Sequence, residues 1–519
     1  MESGKQMSPK LLPIGIFAFR RIREGNFCYV DKTPFIHELI TQGDVYFLSR
    51  PRRFGKSMLI DTIGELFLGS KELFEGLWIH DKWDWNQTHP VLRIDFGKGT
   101  LHSRAELDKK FQEILEDHAL QHGLSLRHTT LSGMFSALLA DVHKQTGKRL
   151  VVLVDEYDKP ILDNLENKSI SHEIRDGLRN IYSILKAEQS HLRFVMLTGV
   201  SKFAKVSIFS GFNNPEDISL SPRFSAVCGY TQADLEHTFS DYLTDVSLEE
   251  VRTWYNGYNF LGEPVYNPFD VLLFLKNKVF RNYWFETGTP TSLIDFIKNH
   301  DVSLPYLDCA YSVEELLNKF DIDHLSIEGF LFQSGYLTIK EQLPNLDGSF
   351  SYLLGFPNLE VKKSLSHLFL FHQTPSPFDS RQHIDLQKGI ITGNPSLFES
   401  PLKRFFSSIP SDWYRKNNID QYEGYYSSVV YALFASLGVP ITVEEATNKG
   451  RMDMVFTYQQ NTFIFEFKTD NNIENPIQQI LDREYPQKYQ REGQHIWLVG
   501  IVFHREERNI GSFVVQPFF

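Results

Sequence analysis

The chain has 519 residues, with 53 Lys+Arg against 65 Asp+Glu for a net charge of −12, and 42% apolar residues. That length suggests about three units, each able to bury a core of its own, and the composition excludes disordered and fibrous classes. No apolar run nears the roughly 18 residues of a membrane helix, the opening MESGKQMSPK lacks a signal peptide's apolar core, and three scattered cysteines (Cys28, Cys228, Cys309) exclude a disulfide framework or a cysteine zinc site. The expectation is a cytoplasmic protein with no membrane partner, and not a strongly basic nucleic-acid binder.

No internal repeat stands out. Residues 1–230 read as alternating strands and helices. VYFLS (45–49), PVLRIDF (90–96), RLVVLVD (149–155) and RFVMLTG (193–199) are short apolar runs ended by Gly, Pro or Asp. Helical periodicity fills the stretches at 57–67 and 175–186. Runs without in/out alternation fit parallel strands covered on both faces, so this part is expected to be α/β. Residues 231–375 mix helical patterns (ADLEHTFSDYL, NPFDVLLFLKNK) with short strands (GYLTIKEQ, FSYLLGFPN), which suits a helical lid or winged-helix-like region. Turn-formers at 376–400 suggest a linker. A third unit, 401–519, begins with a helix near 422–437, followed by strands near 453–458, 462–468 and 495–503.

VYFLSRPRRFGKSMLIDTIGELF is a strand, a loop and an amphipathic helix. Gly55-Lys56-Ser57 matches the end of a Walker A loop. There, backbone N–H groups at a helix N-terminus face phosphates, the lysine reaches the β/γ oxygens and the serine hydroxyl ligates Mg²⁺. The general pattern wants glycine where Arg50 stands. Arg50, Arg52 and Arg53 are read as positive charge facing a polyphosphate. Alone, the tripeptide fits a basic turn ending in a helix cap. A second element decides: RLVVLVDEYDKP ends a buried strand in Asp155-Glu156, with Asp155 to hold Mg²⁺ and Glu156 to polarise a water. At the end of the next strand, Thr198 or Ser201 is placed to sense a γ-phosphate, or to cap the strand.

NFCYVDKTPFIHELI, SRPRRFGKSML, VDEYDKPI, LTGVSKFAKVSIFSGFNN, GYTQADLE and WYNGYNF…VYNPFDVLLFL, in that order, resemble the AAA-ATPase-like domain of bacterial proteins. The resemblance covers about residues 10–280, and in that family Arg-Pro-Arg-Arg-Phe-Gly-Lys-Ser is the usual loop. It implies ATP as cofactor, a P-loop NTPase fold, and a nucleotide set of Arg53, Phe54, Gly55, Lys56, Ser57, Asp155 and Thr198. It also places Tyr29-Val30-Asp31-Lys32 near the nucleotide, with a helix cap at Asp31 as the alternative.

In the third unit Glu423 opens a helix, Asp453 opens a strand, and Glu466 and Lys468 lie two apart on another strand, hence on one face. Asp453, Glu466 and Glu423 can share a divalent cation through hard oxygen ligands, which suits Mg²⁺ or Mn²⁺, while Lys468 orients or deprotonates a metal-bound water. Carboxylates in so apolar a strand cost several kcal/mol unless compensated. This order resembles the PD-(D/E)XK nuclease superfamily, in the branch that follows AAA-ATPase-like domains and ends in a Gln-bearing helix and a Gly-Ile-x-Phe strand. Here those are PIQQILDREYPQKYQ and IWLVGIVF, with Gln478 or Gln479 facing the site and Tyr485 and Tyr489 as packing residues. The resemblance implies a restriction-endonuclease-like α/β domain and metal-dependent phosphodiester hydrolysis, with DNA favoured over RNA.

From residue 401 onward there are 12 Lys+Arg against 14 Asp+Glu, which weighs against tight nonspecific binding. Lys449, Arg451 and Arg491 are the candidates for a local basic patch. The whole-chain expectation is an ATPase coupled to a nuclease. The alternative is a nucleotide-regulated switch or scaffold that binds a partner or nucleic acid without cutting. Whether it forms a homo-oligomer is left open.

Overall fold

The structure, a computed structural model, describes residues 10–202, 215–288, 303–313, 326–373, 380–409, 423–447, 450–470 and 475–519. The chain divides into two compact units. Unit 1 is Met1–Gly288 with Tyr311–Pro357, and unit 2 is Thr289–Ala310 with Asn358–Phe519. The region read as a separate middle piece, 231–375, is thus shared between them.

In unit 1, a short helix α1 (Phe19–Glu24) and α2 (Thr33–Gln42) precede β1 (Val45–Ser49). Then come α3 (Lys56–Leu68), β2 (Val91–Asp95), α4 (Arg104–Gln121), α5 (Leu131–Thr146), β3 (Leu150–Asp155), α6 (Lys168–Ala187), β4 (Leu192–Gly199) and a two-residue β5 (Glu216–Asp217). The strands form one parallel sheet in the order β2-β3-β4-β1-β5. Every residue of β3 is buried, as expected for a strand covered on both faces. Helix starts carry their own caps: Ser103, Thr130 and Asn167 each accept a backbone N–H of the first turn. The order leaves β4 between β1 and β3, so the loop after β1 and the acidic end of β3 open at the same edge, on either side of β4.

The rest of unit 1 is helical around α7 (Pro268–Asn277), followed by β6 (Tyr311–Val313), α8 (Ile327–Ser334), β7 (Thr338–Pro344) and β8 (Phe350–Gly355). These strands make a three-stranded antiparallel sheet, β6-β8-β7, consistent with the winged-helix-like expectation.

The 358–519 part of unit 2 begins with α9 (Leu359–Gln373), α10 (Ser380–Ile391) and α11 (Glu399–Ser408). Of the proposed linker 376–400, residues 376–379 lie outside the described residues, and the turn-formers at 380–400 do not make an irregular connector. Between 380 and 391 the periodicity of Leu386 and Ile390 wins, both are buried, and Gly393 follows this helix while Pro395 opens the next turn of helix. Next come α12 (Glu423–Ser436), β9 (Ile441–Thr447), β10 (Gly450–Tyr458), β11 (Asn461–Thr469), α13 (Pro476–Asp482), β12 (His495–His504) and β13 (Asn509–Phe518). The sheet is mixed, β13-β12-β11-β10-β9, with β11 and β12 parallel. Alternation along β11 assigns its two faces. Phe465 meets Phe434 of α12 at 5.4 Å, whereas Ile464 joins Ile477 and Ile480 of α13 in a second core.

Candidate active sites in the two units

In unit 1 the chain leaves β1, turns through 50–55 and enters α3. Gly55 caps that helix at φ 92, the left-handed region that favours glycine, and a Cβ there would face open space. Arg53 is also left-handed, at φ 70, and its guanidinium lies 4.4 Å from the Phe269 ring centroid. Lys56 is buried, and its Nζ donates to the carbonyls of Arg50 (2.9 Å) and Pro51 (3.0 Å). Burial pushes the Lys56 ammonium below its usual pKa, against the pull of Asp155 and Glu156.

Asp155 ends β3. Its Oδ1 accepts the Thr198 hydroxyl at 2.6 Å and the Glu156 N–H at 3.1 Å. Glu156 sits at φ 54, a strained conformation for a non-glycine residue, and burial raises its carboxyl pKa. Two residues on, Asp158 is fully buried and accepts from Val200 N–H (3.1 Å), Ser201 N–H (2.6 Å) and the Ser201 hydroxyl (2.6 Å). A Cβ at Gly199 would fall 2.5 Å from Asp158 Oδ1, so glycine is required there for this close approach. A cavity of about 600 Å³ collects Arg53, Phe54, Gly55, Lys56, Ser57 and Glu156 along its wall. Tyr29, Val30 and Lys32 line it too, with Lys32 paired to Asp234 at 2.7 Å. Asp31 instead braces the start of α2, accepting from Thr33 N–H and hydroxyl and from Trp78 N–H.

Arg50 departs from expectation. Rather than facing a polyphosphate, it is 1% exposed and donates to four carbonyls: Ser49 (2.9 Å), Ser219 (2.7 Å), Phe224 (3.2 Å) and Ser225 (3.3 Å). Its guanidinium also stacks 3.8 Å from the Phe260 ring centroid. Burial lowers its pKa to about 10. Arg50 therefore ties the loop to residues some 170 positions away.

In unit 2, Glu466 and Lys468 lie on β11, 1% and 6% exposed, and Lys468 Nζ reaches Glu466 Oε1 at 2.8 Å. Gln479 of α13 donates its amide to the same Oε1, while Gln478 turns outward to Asp482. Asp453 on β10 accepts the Phe467 N–H at 2.8 Å, which places it beside β11. Burial raises the Tyr485 phenol, and the Glu466 and Asp453 carboxylates push the same way, so both carboxylates lie within electrostatic reach of one ring. The Tyr485 hydroxyl donates to the Arg451 carbonyl at 2.6 Å, and Tyr489 packs on the α13 core.

Asp453, Glu466, Lys468 and Gln479 are thus brought together. Glu423 is the first residue of α12, but its side chain lies outside the described residues, as does Lys449. Arg451 and Arg491 are exposed. Among the described residues no group of three or more His, Cys, Asp or Glu side chains is placed to hold a metal ion. Asp453 and Glu466 supply two oxygen donors of the hard type that Mg²⁺ or Mn²⁺ prefers, so a third ligand has to come from elsewhere.

Comparisons with known proteins agree with the two domain families expected. Residues 13–209 match the model of a predicted AAA-ATPase domain, and residues 421–513 match the PD-(D/E)XK nuclease superfamily. The chain is 46% identical over 514 residues to an "uncharacterized protein in vnfD 5′ region" of Azotobacter chroococcum mcd 1, covering 98% of this chain and 99% of that protein. This chain belongs to the family that joins a predicted AAA-ATPase domain to a PD-(D/E)XK nuclease domain.

Within that AAA-ATPase/PD-(D/E)XK framework, the sequence alone leaves two residues, Asp158 and Gly500, without a role. Asp158 is visible only as the third acid of Asp-Glu-Tyr-Asp. Thr198 and Ser201 were left as alternatives; each hydroxyl is engaged by a carboxylate, Asp155 and Asp158 respectively. Gly500 carries its signal in the Gly-Ile-x-Phe strand. A Cβ there would meet Pro476 Cγ at 2.8 Å and Ile477 Cγ1 at 3.1 Å, so its absence lets α13 settle on β12 and aim Gln479 at Glu466. Among the described residues no helix is long and apolar enough to cross a membrane.

Proposed function

We propose that unit 1 binds and hydrolyses ATP, that unit 2 cleaves nucleic acid in a divalent-metal-dependent reaction with DNA preferred to RNA, and that nucleotide state sets the rate of cleavage. The observation that carries the nuclease reading is the Glu466–Lys468 pair. Two charges are buried in an apolar strand and joined to each other and to Gln479. Isolated, each would cost several kcal/mol, and a packed apolar pair would serve stability as well or better. Chemistry is the remaining reason to keep them.

Each residue then has a role. Asp453 and Glu466, with Glu423 from α12, supply the oxygen donors, and Gln479 fixes the Glu466 carboxylate. Held there, Mg²⁺ or Mn²⁺ supplies charge neutralisation at the scissile phosphate and a more acidic water. Lys468, an ammonium paired with Glu466, would orient that water, whose proton leaves to solvent. In unit 1, Gly55 leaves room for phosphate against the α3 backbone N–H groups, and Lys56 exchanges its two carbonyl partners for phosphate oxygens. Ser57 and Asp155, the latter held by Thr198, position Mg²⁺, and Glu156 polarises the attacking water.

The test is purified protein with single- and double-stranded DNA and RNA, Mg²⁺ or Mn²⁺, with and without ATP. Lys468→Ala should abolish cleavage and leave ATP binding intact, and a chelator should stop cleavage in the wild type. Undiminished cutting by Lys468→Ala would overturn the site assignment. The switch or scaffold reading draws on Lys468 and Glu466 already bonding each other directly; it predicts nucleotide-dependent association and no cleavage with either metal.

A further inference from the structure

The unit 1 cavity has two chemically different walls. One carries Arg52, Lys56, Glu156 and Asp158; the other is made by Pro13, Ile16, Phe17, Ile22 and Leu272. A triphosphate engages the first wall alone, so the apolar wall is surface that phosphates do not explain. Small-ligand pockets pair an apolar surface with a few polar anchors, and the apolar part sees the ligand's carbon-rich end.

The arm that builds this wall is well anchored. Leu11 N–H donates to the Asn26 carbonyl and Cys28 N–H to the Leu11 carbonyl, and a turn at Ile14–Ile16 includes Gly15 at φ +71. At its far end Phe19 is fully buried, its ring 4.8 Å from Phe74 and 5.1 Å from Tyr29, and its N–H bonds Asp61 of α3 at 2.6 Å. Asp61 lies five residues after Lys56, about 8 Å along the helix axis at 1.5 Å per residue. The arm thus flanks α3 roughly a turn and a half beyond the phosphate end. Two residues before this anchor, Phe17 lines the cavity and is yet 65% exposed. A fixed backbone holds an aromatic ring open to solvent at the mouth of a nucleotide-sized cavity.

We infer that the 13–17 arm, with Leu272, seats the base of the bound nucleotide and that Phe17 stacks on it. This rests on the reading of unit 1 as a nucleotide site, and extends it from the phosphates to the base. An exposed aromatic is the general stacking partner of a nucleobase and adds affinity without reading the base edge.

The test uses the full chain and two probes, MgATP and magnesium tripolyphosphate, titrated by calorimetry. Wild type should bind ATP at least tenfold tighter than tripolyphosphate. Phe17→Ala, at an exposed position where folding is not at stake, should weaken ATP about tenfold and shift tripolyphosphate by less than twofold. Phe17→Trp should keep ATP affinity, and its added emission should change with ATP but not with tripolyphosphate. Equal affinity of wild type for the two probes, or equal weakening of both by Phe17→Ala, overturns the base subsite while leaving the phosphate site standing. Binding of neither probe by wild type overturns the nucleotide reading itself.

Discussion

Replacing Arg50 by glycine would give this chain the generic Gly-x-x-x-x-Gly-Lys-Ser loop, and pattern logic says that should help. The structure says the opposite. Four carbonyls lose their donor, three of them from residues 219–225, and a stacked contact on Phe260 disappears. Charged hydrogen bonds contribute about 1.5 kcal/mol each at the low end, and a desolvated cation–π contact about 2 kcal/mol. Against this stands relief from burying a guanidinium whose pKa burial lowers to about 10, on the order of 3 kcal/mol. The balance is a loss of about 4–5 kcal/mol from unit 1. At a urea slope of about 3 kcal/mol/M, the midpoint should drop by about 1.5 M. Five of the seven tryptophans (Trp78, Trp83, Trp85, Trp254, Trp284) lie in unit 1, so intrinsic fluorescence follows its transition. ATP affinity should fall with it, since Lys56 is held by the carbonyls of residues 50 and 51. An Arg50→Gly protein at least as stable as wild type, with unchanged or tighter ATP binding, would refute the tether.

Three further outcomes follow from unit 2. Gly500→Ala should cost about 1–3 kcal/mol by overpacking against Pro476 and Ile477 and should slow cleavage at least tenfold by shifting Gln479 off Glu466; an unchanged rate would detach Gln479 from the site. Glu466→Gln or Lys468→Met alone should each destabilise by about 3–5 kcal/mol, because the partner charge stays buried, whereas the double variant should lose less than either. Additive losses in chemical denaturation would contradict that coupling. His383 on α10, its Nε2 3.1 Å from the Ser436 hydroxyl, has its pKa pushed down to about 4 by burial, with His367 and Lys363 adding repulsion. The folded state then binds fewer protons than the unfolded state between pH 4 and 6.5, so stability is present above 6.5 and is lost as pH falls towards 4. Allowing for partial exposure, the loss is about 1–2 kcal/mol, and thermal scans of His383→Gln should lack it.

The sheet of unit 1 and the strand–helix–strand core of unit 2 were legible because their signals are local: unbroken apolar runs ending in Gly or Asp, and alternation around Glu466-x-Lys468. What was not legible depends on long-range geometry. The partners of Arg50 come from residues 219–225, so the sequence around Arg50 shows only a positive charge. The choice between Gln478 and Gln479 turns on the phase of α13 against β11, which Gly500 on a third element controls. Thr198 and Ser201 looked equivalent until their acceptors, Asp155 and Asp158, were seen to differ. At 380–391, turn-formers masked a helix whose buried side, Leu386 and Ile390, is only two residues deep in the pattern.

The central claim is that nucleotide state in unit 1 sets the rate of phosphodiester cleavage in unit 2. The most direct measurement is the initial rate of DNA cleavage in Mg²⁺ for wild type, Lys56→Ala and Glu156→Gln, each with and without saturating ATP. The account predicts a wild-type rate that changes at least tenfold with ATP, no ATP response in Lys56→Ala, and in Glu156→Gln a rate held at the ATP-bound value only when ATP is present. Identical rates across all six conditions would contradict it.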